Sequence, residues 1–334
     1  MTERAALVLT APEQFAIEPR EVGAAGPGEV GVDVEFVGLC GTDLHIIEGS
    51  HPRARLPLVL GHELIGQVVG GRHAGEIVVV DPLIACGTCV ACTIGQAHVC
   101  ARLGLVGIDR DGGLGGRVVV DLDRVHRVPA GLDPVVAVLA EPLAVAVHAV
   151  DRADLGPTDR VVVMGAGPIG LLIALVAQGR TATPVLVGEP SALRRRFASE
   201  RGLEVLDADD PVGDLERRTG GRLADVVFDA AAAPAVAAIL PQLVRPAGRI
   251  GLVGTYGRPV KIDLQAIVFR ELTLLGNRVY RPADIDAALG ILAADPERFR
   301  PLVSAVVPLT EAPRAIERLR AGEGVKYVVT TGVT

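Results

Sequence analysis

The segment Val161-Val-Val-Met-Gly165-Ala-Gly167-Pro-Ile-Gly170, followed by LLIALVAQ, limits the fold of this 334-residue chain more than any other stretch. A short apolar strand runs straight into G-x-G-x-x-G, and the motif opens an apolar helix. In that setting Gly165 allows a tight turn, Gly167 lets a dinucleotide pyrophosphate approach the backbone, and Gly170 lets helix pack on strand. The phosphates sit at the helix N-terminus, and Pro168 and Ile169 complete the binding turn. Apolar strands PVLVG, DVVFD and RIGLVG then alternate with helical patterns over 192–201 and 235–243. Such alternation means an α/β fold, a doubly wound parallel sheet covered on both faces.

PVLVG ends at Glu189, 24 residues after Gly165, the spacing of a carboxylate that hydrogen-bonds the adenosine ribose hydroxyls. Its charge repels a 2′-phosphate, so NAD is favoured over NADP. Arg194, Arg195 and Arg196 open the next helix and read either as a solvated face or as partners for that phosphate. Val253, next to the end of RIGLVG, is a further candidate cofactor contact.

Residues 1–130 have a different texture, rich in glycine and valine with short runs broken by turn residues, as in a small β-rich domain. A long apolar stretch over 135–150, restarted at Pro142, links the two regions. The tail offers a helix near 283–293, a strand near 303–307, a helix near 312–319 and a final strand KYVVTT that returns to the first domain. This gives a domain over 1–147 completed by 286–334, and a dinucleotide domain over 148–285.

Four of the five cysteines crowd into Cys86-Gly-Thr-Cys89-Val-Ala-Cys92 and, seven residues on, Cys100. Two-residue gaps form tight knuckles, and four thiolates close a tetrahedron around Zn²⁺ with no open position, which makes a structural site. The second constellation is Cys40 with Gly61-His62-Glu63. One thiolate, one imidazole and one carboxylate leave a fourth position open, the arrangement of a catalytic zinc. The N-terminus MTERAALV lacks a basic start followed by an apolar core, and no 18-residue apolar run occurs, so a cytoplasmic protein without a membrane partner is expected. With 33 basic against 40 acidic residues and no basic patch, nucleic acid is not an expected partner.

In their order, LCGTDLH, VLGHELIG, the four-cysteine lobe, LAEPLAVAVHA and GAGPIG resemble the zinc-containing medium-chain dehydrogenases over nearly the whole chain. The sequence is similar to the sorbitol, butanediol, threonine and sugar-acid branch, because Glu141 stands where ethanol-type enzymes place a second cysteine ligand. The resemblance implies a GroES-like catalytic domain beside a Rossmann domain, and two Zn²⁺ per chain. Cys40, His62 and either Glu63 or Glu141 would hold the catalytic ion. It also implies that Thr42 accepts the hydrogen bond of the alcohol and that His45 ends a proton relay, although both residues also suit a helix cap. Asp43 reads as orienting this segment.

The implied reaction is NAD-linked oxidation of a secondary alcohol of a polyol, sugar acid or vicinal diol, in a homodimer or homotetramer joined through the edge of the cofactor domain's sheet. A biosynthetic reductase of an amino-sugar or cyclitol ketone is the enzyme alternative, and a non-catalytic zinc or nucleotide sensor the other. The chain departs from the family at Gly70–Glu76, a shortened loop. Arg278, Tyr280 and Arg281 read as anchors for a carboxylate or the cofactor, or as an exposed loop, and His51, His73, His98, His126 and His148 as surface or core residues.

Overall fold

The computed structural model describes residues 2–332. Its contacts divide into two compact units, one running to Glu141 and resuming at Arg281, the other Pro142–Tyr280. The hand-over falls several residues before the 147/148 and 285/286 boundaries read from the sequence. At the first, the apolar helix Ala140–Arg152 continues through it without a change of pattern. At the second, Tyr280 is fully buried and Arg281 pairs with Asp284 at the start of the helix Pro282–Ala294. Of the two readings of Arg278, Tyr280 and Arg281, the exposed loop is thereby corrected at Tyr280, while Arg281 is exposed with its guanidinium on Asp284.

The first unit contains β1 (Thr2–Ala11), β2 (Gln14–Val22), β3 (Glu29–Gly38), β4 (Leu58–Val59), β5 (Glu63–Val69), β6 (Ile77–Val80), β7 (Leu83–Ile84), β8 (Gly104–Leu105), β9 (Arg117–Asp121) and β10 (Val125–Arg127). The second carries β11 (Val161–Met164), β12 (Val185–Gly188), β13 (Glu204–Val205), β14 (Ala224–Asp229), β15 (Val244–Leu252) and β16 (Thr273–Gly276). The tail adds β17 (Val303–Pro308) and β18 (Lys326–Thr330) to the first.

Among the described residues, the main sheet of the first unit runs β10-β6-β5-β3-β18-β17, with β9 also on β3. The tail's β18 pairs antiparallel with β3, Val329 opposite Val37. The returning strand read from the sequence is thus the neighbour of the strand that leads to Cys40. On the other side β5 pairs with β3 across an irregularity between Val34 and Phe36. There Gly66 faces the backbone so closely that a Cβ on it would lie 2.0 Å from the Asp33 carbonyl oxygen. The departing loop closes as a short turn, Gly71–His73, with the Gly75 amide donating to the Val68 carbonyl at 3.0 Å.

The second unit holds one parallel sheet in the order β13-β12-β11-β14-β15-β16. Its first strand lies in the middle, and the chain crosses to the other side of it at β14, which is the doubly wound Rossmann order. Val162, Leu186, Val227, Leu240 and Ile250 lie in its core, consistent with strands buried on both faces. Sequence pattern missed β13, β16 and the helices Pro211–Thr219 and Leu264–Phe269. Two of these are very short, and Pro211–Thr219 buries only Leu215. No helix of the described residues is long and apolar enough to cross a membrane.

Gly66→Ala is expected to lower stability by about 1–3 kcal/mol, the cost of forcing a methyl group into a closed backbone contact. Urea denaturation followed by circular dichroism checks this, and an unchanged midpoint would mean that β3 yields freely at its irregularity.

Candidate metal centre and nucleotide turn

Cys40 lies just beyond the end of β3, in an extended conformation, as N-cap of the helix Gly41–Ile47. Its amide donates to Asp43 Oδ2 at 2.8 Å, so the side chain that starts the helix also fixes the cysteine. His62 and Glu63 arrive from β4 through Gly61, whose φ of +98° favours glycine. The Gly61 carbonyl accepts from the Gly113 amide at 3.0 Å, which holds the turn in place. Gly38, paired with Glu63 across the sheet, leaves room for its carboxylate: a Cβ on Gly38 would lie 1.9 Å from Glu63 Oε2.

These elements bring one ligand atom each of Cys40, His62 and Glu63 within 4.8 Å of one another. His62 and Glu63 are buried. His62 Nδ1 faces Asp43 Oδ1 at 3.6 Å, which leaves Nε2 as the nitrogen able to ligate. Burial alone would push the His62 imidazole down, but the Asp43 carboxylate and the Cys40 thiol beside it raise it well above its ordinary value. Glu63 Oε2 is buried and makes no hydrogen bond among the described residues. A soft thiolate, an imidazole nitrogen and an unpartnered carboxylate oxygen form a donor set that fits Zn²⁺.

The other Glu63 oxygen is committed. Lys326 Nζ, from β18, donates to Oε1 at 2.6 Å and to the Leu39 carbonyl at 2.9 Å. Burial works against the Lys326 ammonium, yet Glu63, Cys40 and Glu141 together raise its proton affinity. Sequence reading missed Lys326, although a lone lysine inside the apolar run VKYVV is a legible signal. Glu141, the rival ligand, is buried in the first turn of Ala140–Arg152 but stands outside the three-residue group. Thr42 Oγ1 lies 3.8 Å from Cys40 Sγ, whereas His45 is largely exposed and 4.0 Å from Glu48.

Cys86, Cys89, Cys92 and Cys100 form the second group. The Cys86–Cys92, Cys89–Cys92 and Cys89–Cys100 sulfur separations are 4.0, 3.5 and 3.8 Å. A tetrahedron with arms of about 2.3 Å has edges of about 3.8 Å, so the four sulfurs fit Zn²⁺. The amides of Thr88 and Cys89 hold the Cys86 thiol down to about 5, while burial and the neighbouring thiols push Cys92 up to about 11.

In the second unit, Gly165 turns the chain at φ +100°. A Cβ on Gly170 would lie 1.9 Å from the Gly165 carbonyl oxygen, and around Gly167 the space is open. The helix Pro168–Gln178 starts there with Pro168 in its first turn. Glu189 accepts the Ala166 amide at 2.7 Å and the Ser191 amide at 2.9 Å, one on each oxygen, which leaves a second lone pair on both. Arg195 binds the Glu189 and Pro190 carbonyls and Arg196 binds Glu200, so among the described residues Arg194 is the member of the trio whose guanidinium finds no partner.

The model of the alcohol dehydrogenase GroES-like domain matches residues 26–130, and that of the zinc-binding dehydrogenase matches 168–294. The 2-dehydro-3-deoxy-L-galactonate 5-dehydrogenase of Pseudoalteromonas atlantica is 38% identical over 312 residues, 90% of this chain and 91% of that one. The chain belongs to the zinc-dependent medium-chain alcohol dehydrogenase family. Solved relatives include rspB of Escherichia coli CFT073 complexed with NADH (28% identity, TM-score 0.91, 99% and 100% of the two chains covered). A zinc-binding dehydrogenase of Sinorhizobium meliloti 1021 bound to NADP is similar in the same way (29%, TM-score 0.90, 99% and 100%). As a member of this family the protein is an enzyme that uses zinc and a nicotinamide cofactor.

In this dehydrogenase a second group escaped the sequence reading. Asp229, fully buried at the end of β14, accepts the Ala231 and Ala232 amides at 3.0 Å each and the Tyr256 hydroxyl. Burial and that carboxylate raise the Tyr256 phenol. The Val253 amide donates to the Asp229 carbonyl at 3.0 Å, so the loop after β15 is tied to β14 through one residue. An acidic residue ending an apolar strand, DVVFD, is the signal. Of the remaining histidines, His73 pairs with Glu76 at 3.2 Å and His126 with Asp286 at 2.7 Å.

Lys326→Met should cost about 3–5 kcal/mol, because it leaves Glu63 buried without its counter-ion, whereas Lys326→Met with Glu63→Gln should recover most of the loss. Denaturant midpoints of the two variants decide it, and equal losses would refute the pairing. In zinc-stripped protein at pH 7, Cys86 should be the first lobe cysteine alkylated by iodoacetamide and Cys92 the last, because only the former is largely thiolate there. Peptide mass mapping reads the order, and uniform labelling would mean that the amides around Cys86 disperse when metal leaves.

Proposed function

We propose that the enzyme is a NAD-linked dehydrogenase with two zinc ions per chain, interconverting a secondary alcohol and its ketone on a sugar acid, polyol or vicinal diol. The observation that carries this is the Cys40–His62–Glu63 donor set, half-buried at Cys40 and buried at His62 and Glu63, in a unit that also contains the separate, closed four-sulfur set. Zn²⁺ bound there supplies Lewis acidity, which stabilises negative charge on the alcohol oxygen near neutral pH. NAD supplies the hydride acceptor, so that alcohol and NAD⁺ become ketone, NADH and a proton.

The chain's own residues divide the remaining work. Asp43 holds the Cys40 amide and faces His62 Nδ1, which keeps the ligating nitrogen in register. Lys326 occupies one oxygen of Glu63 and leaves the other for the metal. Glu141 belongs on this reading to the surrounding shell, close enough to act on Lys326 electrostatically. Thr42, beside Cys40, would accept the hydrogen bond of the alcohol and hand its own hydroxyl proton on as the alcohol's arrives, with the exposed His45 as the outer member of that relay toward solvent.

Gly165, Gly167, Pro168, Ile169 and Gly170 would cradle the pyrophosphate, with Val253 nearby. The free lone pairs of Glu189 would take the ribose hydroxyls, which supports NAD over NADP, and Arg194 would lie at the adenosine end. The five cysteines are not tied up in disulfides and are read here as metal ligands, in keeping with a reducing cytoplasm. A homodimer or homotetramer is supported by the edge strand β16 and the adjoining helix Leu264–Phe269, which leave Leu264, Val268, Phe269 and Leu274 exposed.

The test is cofactor reduction at 340 nm with NAD and NADP against aldonic acids, polyols, vicinal diols and threonine, on protein of known zinc content. Turnover with NAD is expected, and Cys40→Ser should lower kcat by about a thousandfold, the loss of several kcal/mol of charge stabilisation, while the lobe keeps its zinc. Glu189→Gln should move the NADP/NAD ratio of kcat/KM upward by about tenfold. A single zinc per chain with no turnover would overturn the reading.

A further inference from the structure

In the first unit, a cavity of about 210 Å³ lies where β2, β4 and β9 meet the loop that carries Arg110, and neither metal set lines it. A single water needs only about 10–15 Å³ of such space, so there is room for a small ligand. Three arginines line the cavity: Arg20 on β2, Arg117 on β9 and Arg110 on the loop.

These guanidiniums are short of acceptors. Arg20 stands directly opposite Arg4 in the register of β1 and β2, a like-charge pair that is unfavourable on an antiparallel sheet. One carboxylate, Asp33, serves two arginines: Oδ2 accepts from Arg4 at 2.8 Å and Oδ1 from Arg117 at 2.5 Å. The three side chains are 22%, 19% and 17% exposed for Arg4, Asp33 and Arg117, so water does little to spread this charge. Arg20 has no such partner. Its Nε is buried and makes no hydrogen bond among the described residues, and the Nε of Arg4 is in the same condition. A donor withdrawn from water without an acceptor is costly. Of the two acidic residues in the lining, Asp111 accepts the Val59 amide at 2.8 Å through Oδ1, and Glu21 is exposed. Together with Asp33 they balance three of the four arginines, which leaves a positive charge and an excess of N–H donors.

We propose that this cavity binds a small oxyanion, a carboxylate or phosphate group, gripped by Arg20 and Arg110 with Arg117 beside them. Planar guanidinium forks match the paired oxygens of both groups, and the anion supplies the acceptors that Arg20 lacks while relieving its repulsion with Arg4. The site is also wired to the metal centre. Its wall Asp111–Gly112 holds Val59 from both sides, since the Gly112 amide donates to the Val59 carbonyl at 2.8 Å. The next amides, Gly113 and Leu114, donate to the Gly61 and Leu60 carbonyls at 3.0 and 3.1 Å. Residues 59–61 lead straight into His62, so an anion that fixes this wall braces the segment that delivers a metal ligand.

The probe is inorganic phosphate, titrated calorimetrically at constant ionic strength into zinc-loaded protein with its reduced nicotinamide cofactor bound, which fills the pyrophosphate turn. One phosphate per chain is expected, with Kd at or below about 1 mM. Arg20→Gln and Arg110→Gln should each weaken it by about tenfold or more, and Arg20→Lys, which keeps the charge but loses the fork, by less. Arg222→Gln, which removes the same charge from an exposed position of the second unit, should leave it unchanged. Phosphate should also raise the thermal midpoint of wild type and barely move that of Arg20→Gln, a comparison within each variant that holds whatever its own stability. Competition by acetate assigns the class to carboxylates as well, and its failure to compete confines it to phosphate.

A Kd above about 10 mM would overturn the proposal. So would phosphate binding that Arg20→Gln and Arg110→Gln leave intact, which would place the ion on a metal or elsewhere, or equal weakening by Arg222→Gln, which would reduce the effect to net charge.

Discussion

The first unit is organised around one buried ion pair, Lys326 with Glu63. Removing two charges from water costs several kcal/mol each, and only short, well-directed contacts offset that. Here the ammonium has a carboxylate oxygen at 2.6 Å and a carbonyl at 2.9 Å, so its desolvation is compensated. The carbonyl contact also joins the last strand to the end of the strand that delivers Cys40, across 287 residues of sequence. Chain closure and assembly of the donor set are therefore one event. β18 cannot register one residue away on β3 without turning Lys326 to the other face and stranding Glu63.

The two candidate zinc sets solve opposite problems with related means. In the lobe, main-chain amides surround Cys86 and lower its proton affinity, so ligand charge is stabilised by backbone, and the four sulfurs already occupy tetrahedral spacing. Nothing else can enter such a site. In the Cys40 set the protein supplies one sulfur, one nitrogen and one oxygen, and then spends Lys326 and Asp43 on holding them. On the proposed reading a position is left for substrate, with Glu141 outside the three-residue group.

Much of this was legible from sequence where the signal was local. The turn Gly165–Gly170, the spacing to Glu189, the four-cysteine run and the pairing of Cys40 with Gly61-His62-Glu63 each follow from residue types at fixed intervals, and the structure brings each local group together. What sequence left open, Glu63 against Glu141, turns on residues brought together from far along the chain, and no spacing encodes that. Lys326 and Asp229 escaped for the same reason: each is a single polar residue in an apolar strand, given meaning only by a partner far along the chain. The short strand β13 and the polar helix Pro211–Thr219 carry too little apolar pattern to register.

His62 and His51 show how backbone geometry gives one side chain two chemistries. In His62 the Nδ1 edge looks toward the Asp43 carboxylate, an acceptor, so the proton belongs on Nδ1 and the Nε2 lone pair is left to a metal. In His51 the Nδ1 edge meets two amides, both donors, so the proton belongs on Nε2 and the outward edge can only donate. Asp43 is placed by the helix cap on Cys40, and the amides of Arg53 and Ala54 by the loop that folds back on His45. Both tautomers therefore descend from the same short helix, Gly41–Ile47, and a change in its capping would disturb the two rings together.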